Sequence, residues 1–348
     1  MLIYEKSNQD KYICTKPFSW LEIGKSGECF VCCRSWLDKP IGNLSKQPID
    51  DVWNSKDAQE IRESMFDGSF KYCNDLCPFK NTKTGPVVQI YDLFNSQPKF
   101  KEIYSNKITK LPFGPRAINA SYDRSCNLSC PSCRTKVIVE LGKQQILKIQ
   151  DKMLELLKKD TEWLCITGSG DPFGSPAFKK LLRELEPNEY PNLKSIHLHT
   201  NGVLWEKTMW DTMDKIHPLV KSAEISIDAA TEETYKINRR GGDWNKLLTN
   251  LNWISNLNIS LKISFVVQQN NYKEMIKFIE LGEKLKVKTV YFSKLVQWGT
   301  FTEKEYEERC VHKVTHPEYS DLTNIIKQIK NRINSVEVLL GNLNDLSN

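Results

Sequence analysis

From residue 110 onward, short apolar runs alternate with longer segments whose apolar residues recur at spacings of three and four. That is the pattern of successive βα units around a parallel sheet. The apolar runs predict strands at Ala117 to Tyr122, Trp163 to Thr167, Ser195 to Thr200, Ser222 to Ile227, Leu261 to Val267 and Thr289 to Phe292. Amphipathic helices are predicted between them, including Gln144 to Leu157, Phe178 to Leu185 and Tyr272 to Leu285. Six such units predict an α/β fold with a partial (β/α)6 barrel, since a complete barrel takes eight units and about 250 residues. The first hundred residues read differently, with short β-like runs at Trp20 to Ile23 and Cys29 to Cys32 and a helix near Asp51 to Met65. They predict a small cysteine-rich α+β domain ahead of the barrel. A Lys-rich polar stretch, Asn95 to Pro115, reads as the linker, and a charged tail with one helix pattern, Leu322 to Ile333, follows Glu303. The expected division is therefore 1–105, 106–305 and 306–348.

With 348 residues and 40% hydrophobic content the chain can bury a sizeable core. Its net charge of +6, from 49 Lys and Arg against 43 Asp and Glu, is spread thinly, so a nucleic-acid partner is not expected. No run approaches the roughly 18 apolar residues needed to cross a bilayer, and Met1 to Ser7 lacks a leader's charged start and apolar stretch. The expectation is a cytoplasmic protein without a membrane partner. In that compartment eleven cysteines do not form a disulfide framework. Nine of them fall into two groups, Cys14 to Cys77 and Cys126 to Cys133, which points to metal or cluster ligation.

At the end of the first barrel strand the chain reads Ser121-Tyr-Asp-Arg-Ser-Cys126-Asn-Leu-Ser-Cys130-Pro-Ser-Cys133-Arg134. A four-iron cubane takes four ligands, so three thiolates in one tight loop leave one iron for a small molecule. A structural zinc site would want a fourth ligand, and no Cys or His follows Cys133 until Cys165. This C-x3-C-x2-C loop resembles the radical S-adenosylmethionine (radical SAM) superfamily, with Ser132 standing where that family usually has an aromatic residue. The resemblance implies that Cys126, Cys130 and Cys133 hold a 4Fe–4S cluster, which binds S-adenosylmethionine and cleaves it reductively to a 5′-deoxyadenosyl radical.

Later strand ends carry further family-like segments. Thr167-Gly-Ser-Gly170-Asp171-Pro172 resembles the family's Gly-Gly-Glu-Pro turn, which implies that Gly168, Ser169, Gly170 and Asp171 hold the cofactor's amino group, the acid being one methylene shorter. Polar residues at the C-terminal ends of barrel strands face the site. Thr200, Asn201, Ser226 and Asp228 are thus candidate contacts for cofactor or substrate. Arg240, in Arg239-Arg240-Gly241-Gly242, and Gln268, in Val267-Gln268-Gln269-Asn270, lie in segments similar to family usage and join the cofactor-binding candidates. No catalytic acid or base is assigned.

In the first domain, Cys14, Gly27 and Cys32, followed by Cys73-x3-Cys77, resemble the auxiliary-cluster domain called SPASM, or its shorter twitch form, although that domain normally follows the barrel. The resemblance implies that Cys14, Cys32, Cys73 and Cys77 ligate a second, auxiliary 4Fe–4S cluster, with Cys29 and Cys33 spare or alternative. The spacing also permits a four-cysteine zinc site. Cys165 reads as a buried inert thiol, and Cys310, His312 and His316 lack a fourth ligand. The implied function is an oxidoreductase or maturase that abstracts hydrogen from a peptide, protein or carbohydrate, leading to oxidation or epimerisation. A flavodoxin- or ferredoxin-like protein would be the reductant. The alternatives are an iron–sulfur or zinc structural or electron-carrier protein without radical chemistry, and an RNA-modifying radical SAM enzyme.

Overall fold

In the computed structural model, which describes residues 11–75, 77–140 and 144–347, the apolar runs become β-strands and the amphipathic segments become helices. The strands are β1 (Tyr12–Cys14), β2 (Trp20–Ile23), β3 (Glu28–Phe30), β4 (Gly42–Asn43), β5 (Val87–Gln89) and β6 (Ala117–Ala120). They continue as β7 (Trp163–Ile166), β8 (Ser195–Thr200), β9 (Val220–Ser226), β10 (Ser260–Val267), β11 (Thr289–Lys294) and β12 (Glu337–Leu339). Strands β6 to β11 overlap the six predicted positions. Met1 to Ser7, read above for a leader, lie outside the described residues.

Two compact units divide the chain. The first comprises Met1–Asp123, Gly142–Cys165 and Pro187–Lys194, and the second Arg124–Leu141, Ile166–Glu186 and Ser195–Asn348. The expected boundaries at 105 and 305 therefore do not coincide with the units.

In the first unit, β2 lies parallel to β6, with Trp20 opposite Ala117 and Ile23 opposite Ala120. Strand β3 runs antiparallel to β2 and β4 antiparallel to β3. The early β-runs thus extend the sheet of β6 instead of closing a sheet of their own. The hairpin between β2 and β3 turns at Gly27, whose φ of +87° and lack of Cβ are both needed, since a Cβ there would come within 2.9 Å of Asn43 Oδ1 and Ser45 N. The stretch read as a linker is folded, with helices at Ile90–Ser96 and Pro98–Ser105. Burial of Phe100 and Ile103, and the 5.1 Å edge contact of Phe100 with Phe18, explain why polar composition failed as a signal there.

In the second unit β8, β9, β10, β11 and β12 lie side by side, all parallel. The expected tail at 306–348 is part of this unit. Strand β12 pairs with β11, the helix Tyr319–Asn331 buries Leu322, Ile326 and Ile329, and Cys310 lies in the core.

Strand alternation gives this sheet two different faces. One face is apolar, carrying Ile196, Leu198, Ile225, Ile263, Phe265, Val290 and Phe292, and the rings of Phe265, Phe278 and Phe292 pack together at centroid distances of 4.9 to 5.9 Å. The other face is polar. Register sets His199 opposite Glu224, Glu224 opposite Lys262, Ser226 opposite Ser264 and Ser264 opposite Tyr291. The polar face floors the site described next.

Candidate active site

Within the second unit a cavity of about 330 Å³ opens above this floor. Its walls include the three cysteines of the Cys126–Cys133 loop, the Gly168–Asp171 turn, and the ends of β8 and β9 at Thr200, Asn201, Ser226 and Asp228. Residues spread over a hundred positions of sequence thus meet at one place.

The cysteine loop is tied down by its backbone. The Cys126 N–H donates to Ile138 O at 2.8 Å, the Cys133 N–H to Cys130 O at 2.9 Å, and the Ser129 N–H to Arg240 O at 3.0 Å. Each thiol also faces a donor of its own. Cys126 Sγ accepts from the Leu128 N–H at 3.5 Å and from Asn201 Nδ2 at 3.6 Å. Cys130 Sγ lies 3.8 Å from Arg239 Nη1, and Cys133 Sγ lies 3.4 Å from Arg134 Nη2. Burial pushes the Cys126 thiol up to about 12 and also raises Cys130, so positive neighbours or a bound metal are needed to keep these sulfurs as thiolates. A set of three sulfurs, two buried and one half-buried, each supplied with an N–H donor, fits a thiolate-ligated iron–sulfur cluster.

Asp171, expected to hold the cofactor's amino group, lines the cavity and is engaged by the protein itself. It is wholly buried, and both carboxylate oxygens are already in use. Oδ1 accepts from the N–H groups of Phe173 (3.0 Å) and Gly174 (2.9 Å), and Oδ2 accepts from Thr200 Oγ1 and the Asn201 N–H, both at 2.8 Å. The carboxylate therefore joins the glycine turn to the end of β8. Burial raises its pKa, and these four donors oppose the shift. Arg134 holds the same turn from the other side, donating from Nη2 to Ser169 O at 2.6 Å and from Nη1 to Arg124 O at 2.7 Å.

Asp228 sits at the end of β9 with a φ of +58°, a conformation that a non-glycine residue keeps only when its surroundings impose it. Four contacts do so. Its carboxylate meets Arg239 Nη2 at 2.8 Å and accepts from the Val266 N–H at 2.7 Å, while its carbonyl accepts from Asn238 Nδ2 (2.9 Å) and Asn271 Nδ2 (3.1 Å). Although burial opposes charge on Arg239, Asp228 and Cys130 hold its pKa above the ordinary arginine value. The buried Arg239 Nε has no hydrogen-bond partner among the described residues.

On the floor, His199 Nε2 lies 3.0 Å from Ser226 Oγ and 3.8 Å from Glu224 Oε1, and Lys262 Nζ reaches Glu224 Oε2 at 2.5 Å. Against the effect of burial, His199 and Lys262 bring the Glu224 carboxyl down to about 2. Two expected contacts are not at the cavity wall. Arg240 is exposed, donating to Ser129 Oγ and Thr135 O, and buried Gln268 accepts from Arg309 Nη1 at 3.3 Å. The sequence reading overlooked Arg134, Arg239, His199 and Glu224. For the last two the available signal was polar residues at every second position of otherwise apolar strands.

In the first unit Cys14, Cys32, Cys73 and Cys77 converge. Burial pushes Cys14 up to about 12 and Cys73 and Cys77 add to the shift; burial does the same to Cys32, with Cys14, Cys33 and Cys73 adding to it. Cys29 is withdrawn from this group, fully buried in β3 with its Sγ 3.5 Å from Gly27 O.

Two family models match the chain. Residues 122–282 match the Radical SAM superfamily, and residues 14–78 match the iron–sulfur cluster-binding domain SPASM. A GTP 3′,8-cyclase of Clostridium perfringens is 26% identical over 176 residues, covering 48% of this chain and 51% of that protein. A probable GTP 3′,8-cyclase of Saccharolobus islandicus is 25% identical over 217 residues, 60% of this chain and 65% of the relative. The chain thus spans about half the length of the first of these relatives. Among solved structures, Streptococcus suis SuiB bound to S-adenosylmethionine matches with a TM-score of 0.45 at 14% identity, covering 84% of this chain and 63% of SuiB. Native anSMEcpe with bound AdoMet matches with a TM-score of 0.46 at 18% identity, covering 64% of this chain and 62% of the other.

Proposed function

Since this chain belongs to the radical SAM superfamily and carries a SPASM iron–sulfur domain, we propose that Cys126, Cys130 and Cys133 hold the cluster that binds S-adenosylmethionine beside the second unit's cavity. Bound there, cluster and cofactor would supply a 5′-deoxyadenosyl radical that takes a hydrogen atom from the substrate. The observation that carries this reading is the provision of a separate N–H donor for each of the three cysteine sulfurs at the cavity wall.

The chain's own residues do the positioning. Asp171 and Arg134 hold the Gly168–Gly170 turn, whose small residues let the main chain approach the cofactor's amino and carboxylate end. Thr200 and Asn201 are fixed by Asp171, and Asp228 by Arg239, so the wall is organised before any ligand arrives. The floor of His199, Glu224, Ser226, Ser264 and Tyr291 offers hydrogen bonds and paired charges, which suits a polar substrate. A peptide or protein side chain or a carbohydrate, oxidised or epimerised, fits that requirement. Cys14, Cys32, Cys73 and Cys77 would hold an auxiliary 4Fe–4S cluster, and a flavodoxin- or ferredoxin-like protein in the cytoplasm would supply electrons. Among the described residues no helix is long and apolar enough to cross a membrane.

The names of the curated relatives make a nucleoside triphosphate the competing substrate. A triphosphate needs free cations. Those lining this cavity already have partners: Arg134 bonds Ser169 O, Arg239 pairs with Asp228, and Lys294 lies 3.4 Å from Asp345.

The test is anaerobic reconstitution with iron and sulfide, reduction by dithionite, addition of S-adenosylmethionine and quantification of 5′-deoxyadenosine. A Cys126→Ala, Cys130→Ala, Cys133→Ala variant should form none while keeping about four irons for the auxiliary site. A fully loaded wild type that forms no 5′-deoxyadenosine would transfer the case to the electron-carrier reading.

A further inference from the structure

Resting on the ligand reading just given, we infer that Arg134 and Arg239 are positioning residues that set the reduction potential of the Cys126–Cys130–Cys133 cluster, and that Arg134 links that potential to the Gly168–Gly170 turn. Reduction adds an electron to a group that already carries three thiolates. Cations and N–H donors at the sulfurs favour the reduced state and raise the potential, and charge-assisted bonds do so most strongly. Two guanidinium groups stand at two of the three sulfurs, Arg134 Nη2 at 3.4 Å from Cys133 Sγ and Arg239 Nη1 at 3.8 Å from Cys130 Sγ.

The two cations are not equivalent. Arg239 is 2.8 Å from Asp228, which neutralises much of its charge. Arg134 is buried and, among the described residues, makes no ion pair with a carboxylate; its other acceptors are the neutral carbonyls of Arg124 and Ser169. Its full charge therefore acts on the sulfurs. Arg134 also uses one nitrogen, Nη2, for both Cys133 Sγ and Ser169 O. A ligand that draws on the Ser169 carbonyl must change the bond to the sulfur, and the coupling is reciprocal by linkage. Among the described residues the polar contacts of the Arg239 side chain are with Asp228 and Cys130, away from that turn, so it should lack this second role.

The experiment is a redox titration of the reconstituted protein, with and without S-adenosylmethionine. It follows the component of the electron paramagnetic resonance signal that changes when the cofactor is added, which separates this cluster from the auxiliary one. Iron content and melting temperature are recorded for every variant. Arg239→Gln should lower the potential and Arg134→Gln should lower it further, while Arg134→Lys, which keeps the charge but not the fork, should restore most of it. The cofactor-induced shift should survive in Arg239→Gln and shrink in Arg134→Lys.

Wild-type potentials in both glutamine variants at equal iron content would overturn the inference. Should Arg134→Gln fail to load a cluster, Arg134→Lys decides. A near-native potential with a reduced cofactor-induced shift supports the link, and an unchanged shift refutes it. If instead the triple alanine variant retains the cofactor-responsive signal, the ligand assignment itself has failed, and the potentials bear on another site.

Discussion

The buried carboxylate of Asp171 offers the sharpest separation between a residue that holds a loop and one that holds a ligand. In Asp171→Asn the shape is kept and one oxygen becomes an NH2 group. Four donors converge on the native carboxylate, two on each oxygen. If the new NH2 takes the Oδ2 position, the Thr200 hydroxyl can rotate to accept from it, but the Asn201 N–H then faces a donor. An orphaned buried N–H costs about 1–3 kcal/mol, and the remaining bonds lose their charge assistance at some tenths of a kcal/mol each. Removing a buried charge whose pKa is raised by burial returns part of this. The net expectation is a loss of about 2 kcal/mol, or roughly 4–8 °C in melting temperature for a domain of this size.

The assay is thermal unfolding of the cluster-free protein together with S-adenosylmethionine affinity of the reconstituted one. A brace predicts that both fall, with affinity reduced about tenfold for each 1.4 kcal/mol lost from the organised turn. A carboxylate that instead met the cofactor directly would lose affinity alone, and the cluster-free variant would melt at or above wild type. Unchanged melting with lost affinity would therefore refute the bracing role and reinstate the direct contact expected from the motif.

Two further predictions concern the framework of each unit. Arg62 is fully buried, has no carboxylate partner among the described residues and donates to Pro17 O, Trp53 O, Thr109 O and Asn54 Oδ1 at 2.8 to 3.1 Å, so Arg62→Met, which orphans all four acceptors, should destabilise the cluster-free protein by about 3 kcal/mol or more. Urea unfolding measures it, and a loss below about 1 kcal/mol would show that relief of the buried charge, whose pKa burial lowers to about 9, outweighs the four bonds. In the second unit burial lowers His197 and His312 to about 4. Folded values below the unfolded value of about 6.5 mean that stability is present above pH 6.5 and is lost as pH falls toward 4, by about 2–3 kcal/mol between pH 7 and 5 for the pair after allowance for partial exposure. His197→Gln with His312→Gln should flatten the profile in denaturant melts across that window, and an unaltered slope would exclude both residues as its source.

What could be read from the chain alone follows the distance over which each feature is encoded. The Cys126–Cys133 loop and the Gly168–Pro172 turn are contiguous, so their chemistry survives in a linear reading. The six strands beginning at Ala117 were legible because each is a single apolar run. The pairing of β2 with β6 was not, since Trp20 and Ala117 are 97 positions apart by number and neither run names its neighbour. The helix Pro98–Ser105 was hidden for a related reason. Its two buried residues, Phe100 and Ile103, are too few to show a period among lysines, and only contact with Phe18 reveals their role.

The same rule explains why the motifs were found and the groups that tune them were not. Arg134 stands beside the third cysteine, yet its role depends on Ser169, a carbonyl 35 residues away. Arg239 reaches Cys130 across 109 residues, whereas Arg240, chosen from the same dipeptide, points to Ser129 and Thr135 at the exposed side. Adjacent residues of one polypeptide face different ways, and no motif distinguishes them until the chain leaving Asp228 has been placed. His199, Glu224 and Lys262 are partners because β8, β9 and β10 align with a particular register, and a one-residue slip would send each to the apolar face. Ligand identity is therefore a local property here, while the charge and hydrogen bonding that surround the ligands belong to the sheet. A second chain with the same cysteine loop but another register of β8 to β10 would keep the three clustered cysteines and lose this polar floor.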